Sequence, residues 1–141
     1  MTNKYKIYGK RTIKVDNKNR IIIPAFAPIK DEEEIIPKFL STKDVLILYS
    51  PEEYLEKWDL FKNILKEENM SFLDEKRWES YFTGELSYAS EYPDKYRRIV
   101  LNQEILDTLQ ANSTLYAVAR GNTLELYKDE DSYEEINNKH R

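Results

Sequence analysis

Laid against itself at a shift of 78 residues, the chain aligns Asp16 with Asp94, Arg20 with Arg98, Ile21 with Ile99 and Ile23 with Leu101. The same offset later matches Leu46 with Leu124, Leu48 with Leu126 and Tyr49 with Tyr127, a run read here as free of gaps. Two clusters at one offset, each with a strand-like pattern, indicate an internal duplication. A duplicated unit in a chain of 141 residues is too short to enclose a core alone, so the two copies are expected to share one.

Each copy has the same order: an extended arm, a polar turn, a short apolar strand, a short helix, a hairpin and a second helix. In the first copy Asp16-Asn17-Lys18-Asn19-Arg20 is the turn, because Asn tolerates positive φ better than other side chains. Ile21-Ile22-Ile23 is the β-branched strand and Pro24 stops it. The second copy runs from Asp94 to Arg98 and into Ile99-Val100-Leu101. Its hairpin, Leu115–Ala119 and Thr123–Tyr127, turns at Arg120-Gly121-Asn122, where Gly supplies positive φ. The counterpart is Pro37–Ser41 and Val45–Tyr49 around Thr42-Lys43-Asp44, a turn with a weaker signature.

Between the copies, Ser50-Pro51-Glu52-Glu53 has the form of a capping box, with Pro at the first helical position. Tyr54, Trp58, Phe61 and Leu65 then recur at helical spacing as one apolar stripe. Ser71-Phe72-Leu73-Asp74 is a second box, opening a helix with Trp78, Tyr81 and Phe82. The expected organisation is a first unit over 8–52, linker helices over 53–83, a second unit over 84–129, and a C-terminal helix and tail over 130–141.

Charge is distributed unevenly. The net charge is −4, yet residues 1–30 carry Lys4, Lys6, Lys10, Arg11, Lys14, Lys18, Arg20 and Lys30 against Asp16 alone, so that segment is +7 and the rest −11. The absence of cysteine excludes disulfides and thiolate chemistry and fits a reducing compartment. The N-terminal residues lack the apolar run of a signal peptide, and no stretch approaches the roughly 20 apolar residues that span a bilayer. A cytoplasmic protein without a membrane partner is expected.

The stretch Gly9-x6-Asp16-x-Lys18-x-Arg20-Ile21-x-Ile23-Pro24, duplicated downstream, resembles the MraZ branch of the SpoVT/AbrB-like swapped-hairpin transcription factors. The resemblance covers nearly the whole chain. It implies an α+β fold of two tandem β-hairpin units with short helices, forming a swapped-hairpin β-barrel linked by helices. It further implies a sequence-specific, nucleoid-associated regulator that binds tandem repeats in the promoter of a division and cell-wall gene cluster, assembled as a homo-oligomeric ring of about eight subunits. By position, DNA contact falls on Arg20 with Lys18 beside it. Lys10, Arg11 and Lys14 on the arm extend the basic surface by proximity. A β-ribbon fits the major groove of double-stranded DNA, where Arg and Lys reach guanine edges or phosphates. A lysine-rich edge strand kept soluble by its charge would look similar at the level of the arm alone.

The chain departs from the family where a turn glycine is usual, with Asn19 in the first copy and Arg97 in the second. Asn is a mild change, whereas positive φ at Arg97 costs roughly 1–2 kcal/mol. A second turn of different shape is therefore expected. Lys95, Arg97 and Arg98 keep it basic, either as an auxiliary DNA contact or as a solvated tip.

An enzyme is hard to assemble from these residues, and no cofactor, metal or small-molecule substrate is expected. The sole histidine, His140, lies in a polar tail, and no P-loop, GxGxxG or HExxH pattern occurs. Asp31-Glu32-Glu33-Glu34 reads as a solvated acidic run. The eleven tyrosines and two tryptophans read as core by their spacing, with Tyr49 and Tyr127 as packing positions. The acidic bulk and altered second turn leave one alternative open, an assembly or antitoxin-like protein-interaction module of the same fold.

Overall fold

The computed structural model describes residues 6–30, 33–40, 42–67 and 92–138. Elements in chain order are β1 (Ile7–Lys14), β2 (Arg20–Ile22), β3 (Ile36–Phe39), β4 (Val45–Tyr49), α1 (Pro51–Glu67), β5 (Arg98–Val100), α2 (Gln103–Leu109), β6 (Thr114–Arg120), β7 (Thr123–Tyr127) and α3 (Glu130–Asn138). The fold is α+β. Five strands form an open antiparallel sheet in the order β1-β6-β7-β4-β3, and β2 and β5 form a separate two-stranded ribbon. Among the described residues the sheet does not close into a barrel.

The pairings cross the two halves of the chain. The arm β1 pairs with β6, with Ile13 opposite Leu115, and the central pair β4/β7 sets Leu46 opposite Leu126 and Leu48 opposite Leu124. In the ribbon Ile21 faces Ile99. Each of these last two pairs is symmetric under the 78-residue offset, since Arg20 pairs Val100 where Ile22 pairs Arg98. The two copies are thus related locally by an approximate two-fold axis through each pair.

One face of the sheet buries Ile13, Leu46, Leu48, Leu115, Leu124 and Leu126 beneath the ribbon residues Ile21, Ile23, Ile99 and Leu101 and beneath α2. On the opposite face Val45, Tyr116, Val118 and Tyr127 pack against Tyr133 of α3. Strand alternation delivers both faces from the same segments, so the sheet is a middle layer with apolar residues on both sides. Tyr127 sits edge-on to Tyr133, centroids 5.1 Å apart, and Tyr49 meets Tyr54 at 6.0 Å, so both duplicated tyrosines pack against rings.

The copies differ in two places from the expected order. No helix follows Pro24; residues 25–28 form turns, because Pro24 and Pro28 remove two amides and Pro28 restricts Ala27 away from helical torsions. In the second copy the equivalent segment is α2, capped by the Asn102 side chain accepting from the Ile105 amide at 2.8 Å. The hairpins are also not in one register. Ile36 pairs Tyr49 whereas Tyr116 pairs Tyr127, an offset of 80 residues on the first strand and 78 on the second. The gap-free alignment is corrected accordingly: the first hairpin turns through residues 42–44, with the Leu40 amide donating to the Val45 carbonyl, and the second through Gly121 and Asn122 alone. Lys43 (φ 61°) and Gly121 (φ 58°) take the left-handed positions.

α1 begins as expected, with the Glu53 amide donating to Ser50 Oγ at 3.2 Å. The Glu53 carboxylate does not close the box. It accepts from Asn122 Nδ2 at 3.4 Å, tying α1 to the second hairpin turn. The side chains of Trp58, Phe61 and Leu65, the second capping box at Ser71, the arm of the second copy and His140 lie outside the described residues. No described helix is long and apolar enough to cross a membrane.

Candidate nucleic-acid interface

The two Asp-x-x-x-Arg segments fold into the same turn. Asp16 Oδ1 accepts the amides of Lys18 and Arg20 at 2.9 and 2.8 Å, and Asp94 Oδ1 accepts those of Tyr96 and Arg98, both at 2.9 Å. Each carboxylate then uses Oδ2 to hold the following arginine, Arg20 Nε at 2.7 Å and Arg98 Nε at 2.8 Å. The amides of Asp16 and Asp94 close the turns onto the carbonyls of Arg20 and Arg98 at 2.9 and 3.0 Å. The Arg20 amide, its guanidinium and the Lys18 amide hold the Asp16 carboxyl below the usual carboxylate range, and Arg98 and Tyr96 do the same for Asp94.

The expectation that Arg97 would reshape the second turn is therefore overturned. Asn19 has φ 59° and Arg97 φ 61°. The physical reason lies in the Arg97 guanidinium, whose Nε, Nη1 and Nη2 donate to the carbonyls of Ile23, Ile29 and Pro24 at 3.4, 3.2 and 3.3 Å. Those carbonyls belong to the non-helical loop after β2, so Arg97 offsets its backbone strain by satisfying a segment without helical hydrogen bonds of its own. Asn19 makes the milder equivalent, Nδ2 to Gln103 Oε1 at 3.2 Å.

Antiparallel pairing of the ribbon sets the two turns at its opposite ends, with the Leu101 amide donating to the Asn19 carbonyl and the Ile23 amide to the Arg97 carbonyl, both at 2.8 Å. Ile21 and Ile99 point into the core, so alternation turns Arg20, Ile22, Arg98 and Val100 outward on one face. Arg20 and Arg98 are diagonal cross-strand neighbours, a relation that spaces Cα atoms by roughly 7–8 Å. Each keeps its Nη1/Nη2 edge clear of hydrogen bonds among the described residues. At the tips, Lys18 is exposed, while the exposed Tyr96 ring lies 5.0 Å from Lys95 Nζ and 4.9 Å from Arg98 Cζ. The two turns, residues 16–20 and 94–98, carry a net charge of +3.

The arm divides. Arg11 shares the ribbon side of the sheet with Ile13, its guanidinium 5.8 Å from the Phe26 ring. Lys10 and Lys14 occupy the other parity, and Lys10 Nζ lies 5.4 Å from the Tyr133 ring on the α3 side. The structure brings Arg20 and Arg98 onto one ribbon face, puts Lys95 with Arg98 around Tyr96 at one end and Lys18 at the other, sets Arg11 on the ribbon side of the sheet, and places Lys10 and Lys14 on the opposite parity of β1.

Sequence reasoning missed two positioning residues. Arg97 organises the loop after β2, and only its conflict with positive φ signalled a special role. Gly9 lies under Phe26, where a Cβ would run into the ring. No protein-family model matches the chain, and no curated protein matches it.

Proposed function

We propose that this chain is a double-stranded-DNA-binding transcriptional regulator of the MraZ type, with the β2/β5 ribbon and its two turns as the reading surface. One observation carries the reading: two turns of identical hydrogen bonding place Arg20 and Arg98 on one outward face, each oriented by its own carboxylate. A guanidinium fixed through Nε keeps its Nη1/Nη2 edge for the O6/N7 pair of guanine or for a phosphate. Crossed pairing of β1 with β6, β4 with β7 and β2 with β5 supports two swapped-hairpin units over 8–52 and 84–129 sharing one core. The proposal extends to a nucleoid-associated ring of about eight subunits, each offering a ribbon to one of several tandem promoter repeats, so that avidity multiplies modest single contacts. It includes no reaction.

Four cations per subunit at phosphates or bases give a salt slope of about −3 to −4 for each bound subunit. Fluorescence anisotropy on DNA from upstream of the gene, across a salt series, tests this. Arg20→Ala is expected to weaken binding by roughly 1–3 kcal/mol and to relax sequence preference. Equal binding by both proteins, shared with unrelated DNA, refutes the assignment and favours the protein-interaction alternative. Light scattering that gives a monomer at micromolar concentration refutes the ring.

A further inference from the structure

The outward face of the ribbon is not uniformly cationic. Ile22 is 58% exposed and Val100 45%, while their strand neighbours Ile21 and Ile99 are almost fully buried. Cross-strand pairing sets Arg20 opposite Val100 and Ile22 opposite Arg98, so the face is a checkerboard with two arginines on one diagonal and two β-branched apolar side chains on the other. Water solvates such a pattern poorly, and a Thr at either place would keep the strand without exposing a hydrocarbon.

We propose that Ile22 and Val100 read thymine 5-methyl groups in the major groove, between bases contacted by Arg20 and Arg98; the inference rests on the regulator reading above. The cations select a polyanion. Of the polyanions that accept a β-ribbon, duplex DNA alone presents a methyl group on its base edge beside guanine acceptors. RNA lacks that methyl, and its deep, narrow major groove excludes side chains. Because an approximate two-fold axis passes between Ile21 and Ile99, the two methyl contacts fall on opposite strands, as on an inverted repeat.

The test uses duplexes recovered from a random-core pool by binding to the full chain, remade with deoxyuridine in place of thymidine. Burying one methyl is worth about fourfold in affinity, so removing both contacts is expected to cost roughly 15-fold. Ile22→Ser and Val100→Ser, both at exposed positions, are each expected to lose about fourfold on thymine duplexes and to show a correspondingly smaller penalty for deoxyuridine, whereas Ile22→Val retains the full discrimination. Equal wild-type affinity for both duplexes overturns the methyl contact; if Arg20→Ala still weakens binding, the regulator reading stands without it. Recovery of no duplex removes both. An oligomer dissociated by Ile22→Ser, with unchanged deoxyuridine discrimination, assigns the face to contact between copies and also overturns the proposal.

Discussion

Arg97 combines an unfavourable backbone with a favourable side chain, and the two can be separated by substitution. Replacement by Ala keeps a non-glycine residue at φ 61° and removes the three guanidinium hydrogen bonds to Ile23, Ile29 and Pro24. Hydrogen bonds to charged groups contribute about 1.5–3 kcal/mol at good geometry; at 3.2–3.4 Å and partial burial, about 1 kcal/mol each gives a loss of about 3 kcal/mol. Replacement by Gly loses the same bonds but recovers the left-handed strain, about 1–2 kcal/mol, less the conformational entropy that Gly forfeits on folding. Its net loss is therefore about 2 kcal/mol, about 1 kcal/mol less than that of Ala. With an m-value of about 2 kcal/mol/M for a chain of this size, urea midpoints should fall by roughly 1 M for Arg97→Gly and 1.5 M for Arg97→Ala. Arg97→Lys keeps the charge but cannot fork, and should fall short of wild type by less than Ala does. A midpoint for Arg97→Gly at or above wild type would refute the compensation, and an Arg97→Ala midpoint no lower than that of Gly would refute the left-handed backbone.

Two further expectations concern the same architecture. Asp16 and Asp94 are held below their usual carboxyl range, so their contribution is present above the unfolded value near 4 and is lost as pH falls through the folded value; urea melts of Asp16→Asn/Asp94→Asn should show a shallower acid limb than wild type, and parallel limbs would contradict this. Gly9→Ala drives a Cβ into the Phe26 ring and should destabilise by about 1–3 kcal/mol, with part of the loss absent when Phe26→Ala is also present; an additive double mutant in thermal melts would place Phe26 elsewhere.

Much of the strand layout is legible in the sequence because hydrophobic alternation and turn residues act locally. Val45–Tyr49 and Thr123–Tyr127 emerge with their expected bounds, and the Ser50 cap starts α1. The missing helix after Pro24 was also a local matter, since two prolines four residues apart carry the information. What escaped was non-local. The shape of the Asp94 turn depends on Arg97 reaching carbonyls more than 60 residues earlier in the chain, and no turn propensity reports such a partner. The two-residue difference between the hairpins is hidden for a related reason: each strand matches its counterpart separately, and only the pairing of Ile36 with Tyr49 against Tyr116 with Tyr127 exposes the shift. For the candidate site, sequence proximity grouped Lys10, Arg11 and Lys14, and a period of two then divided them between opposite faces.

Fusing two copies in one chain has a consequence for recognition. Identical subunits related by a true two-fold axis must present identical half-faces. Here the backbone of both turns is kept, down to the same carboxylate contacts, while the tips diverge: Lys18 stands where Tyr96 stands in the other copy, and Asn19 where Arg97 does. The elements that fix the arginines are thus symmetric, and those that would touch a partner beyond them are not. One half offers the exposed Lys18, and the other an exposed ring flanked by Lys95 and Arg98. A duplex read by this ribbon would meet paired arginine contacts at its centre and unlike contacts at its two edges, which gives the bound site a direction. Direction is what a head-to-tail series of subunits requires of each repeat it occupies, since a fully symmetric face could seat either way round.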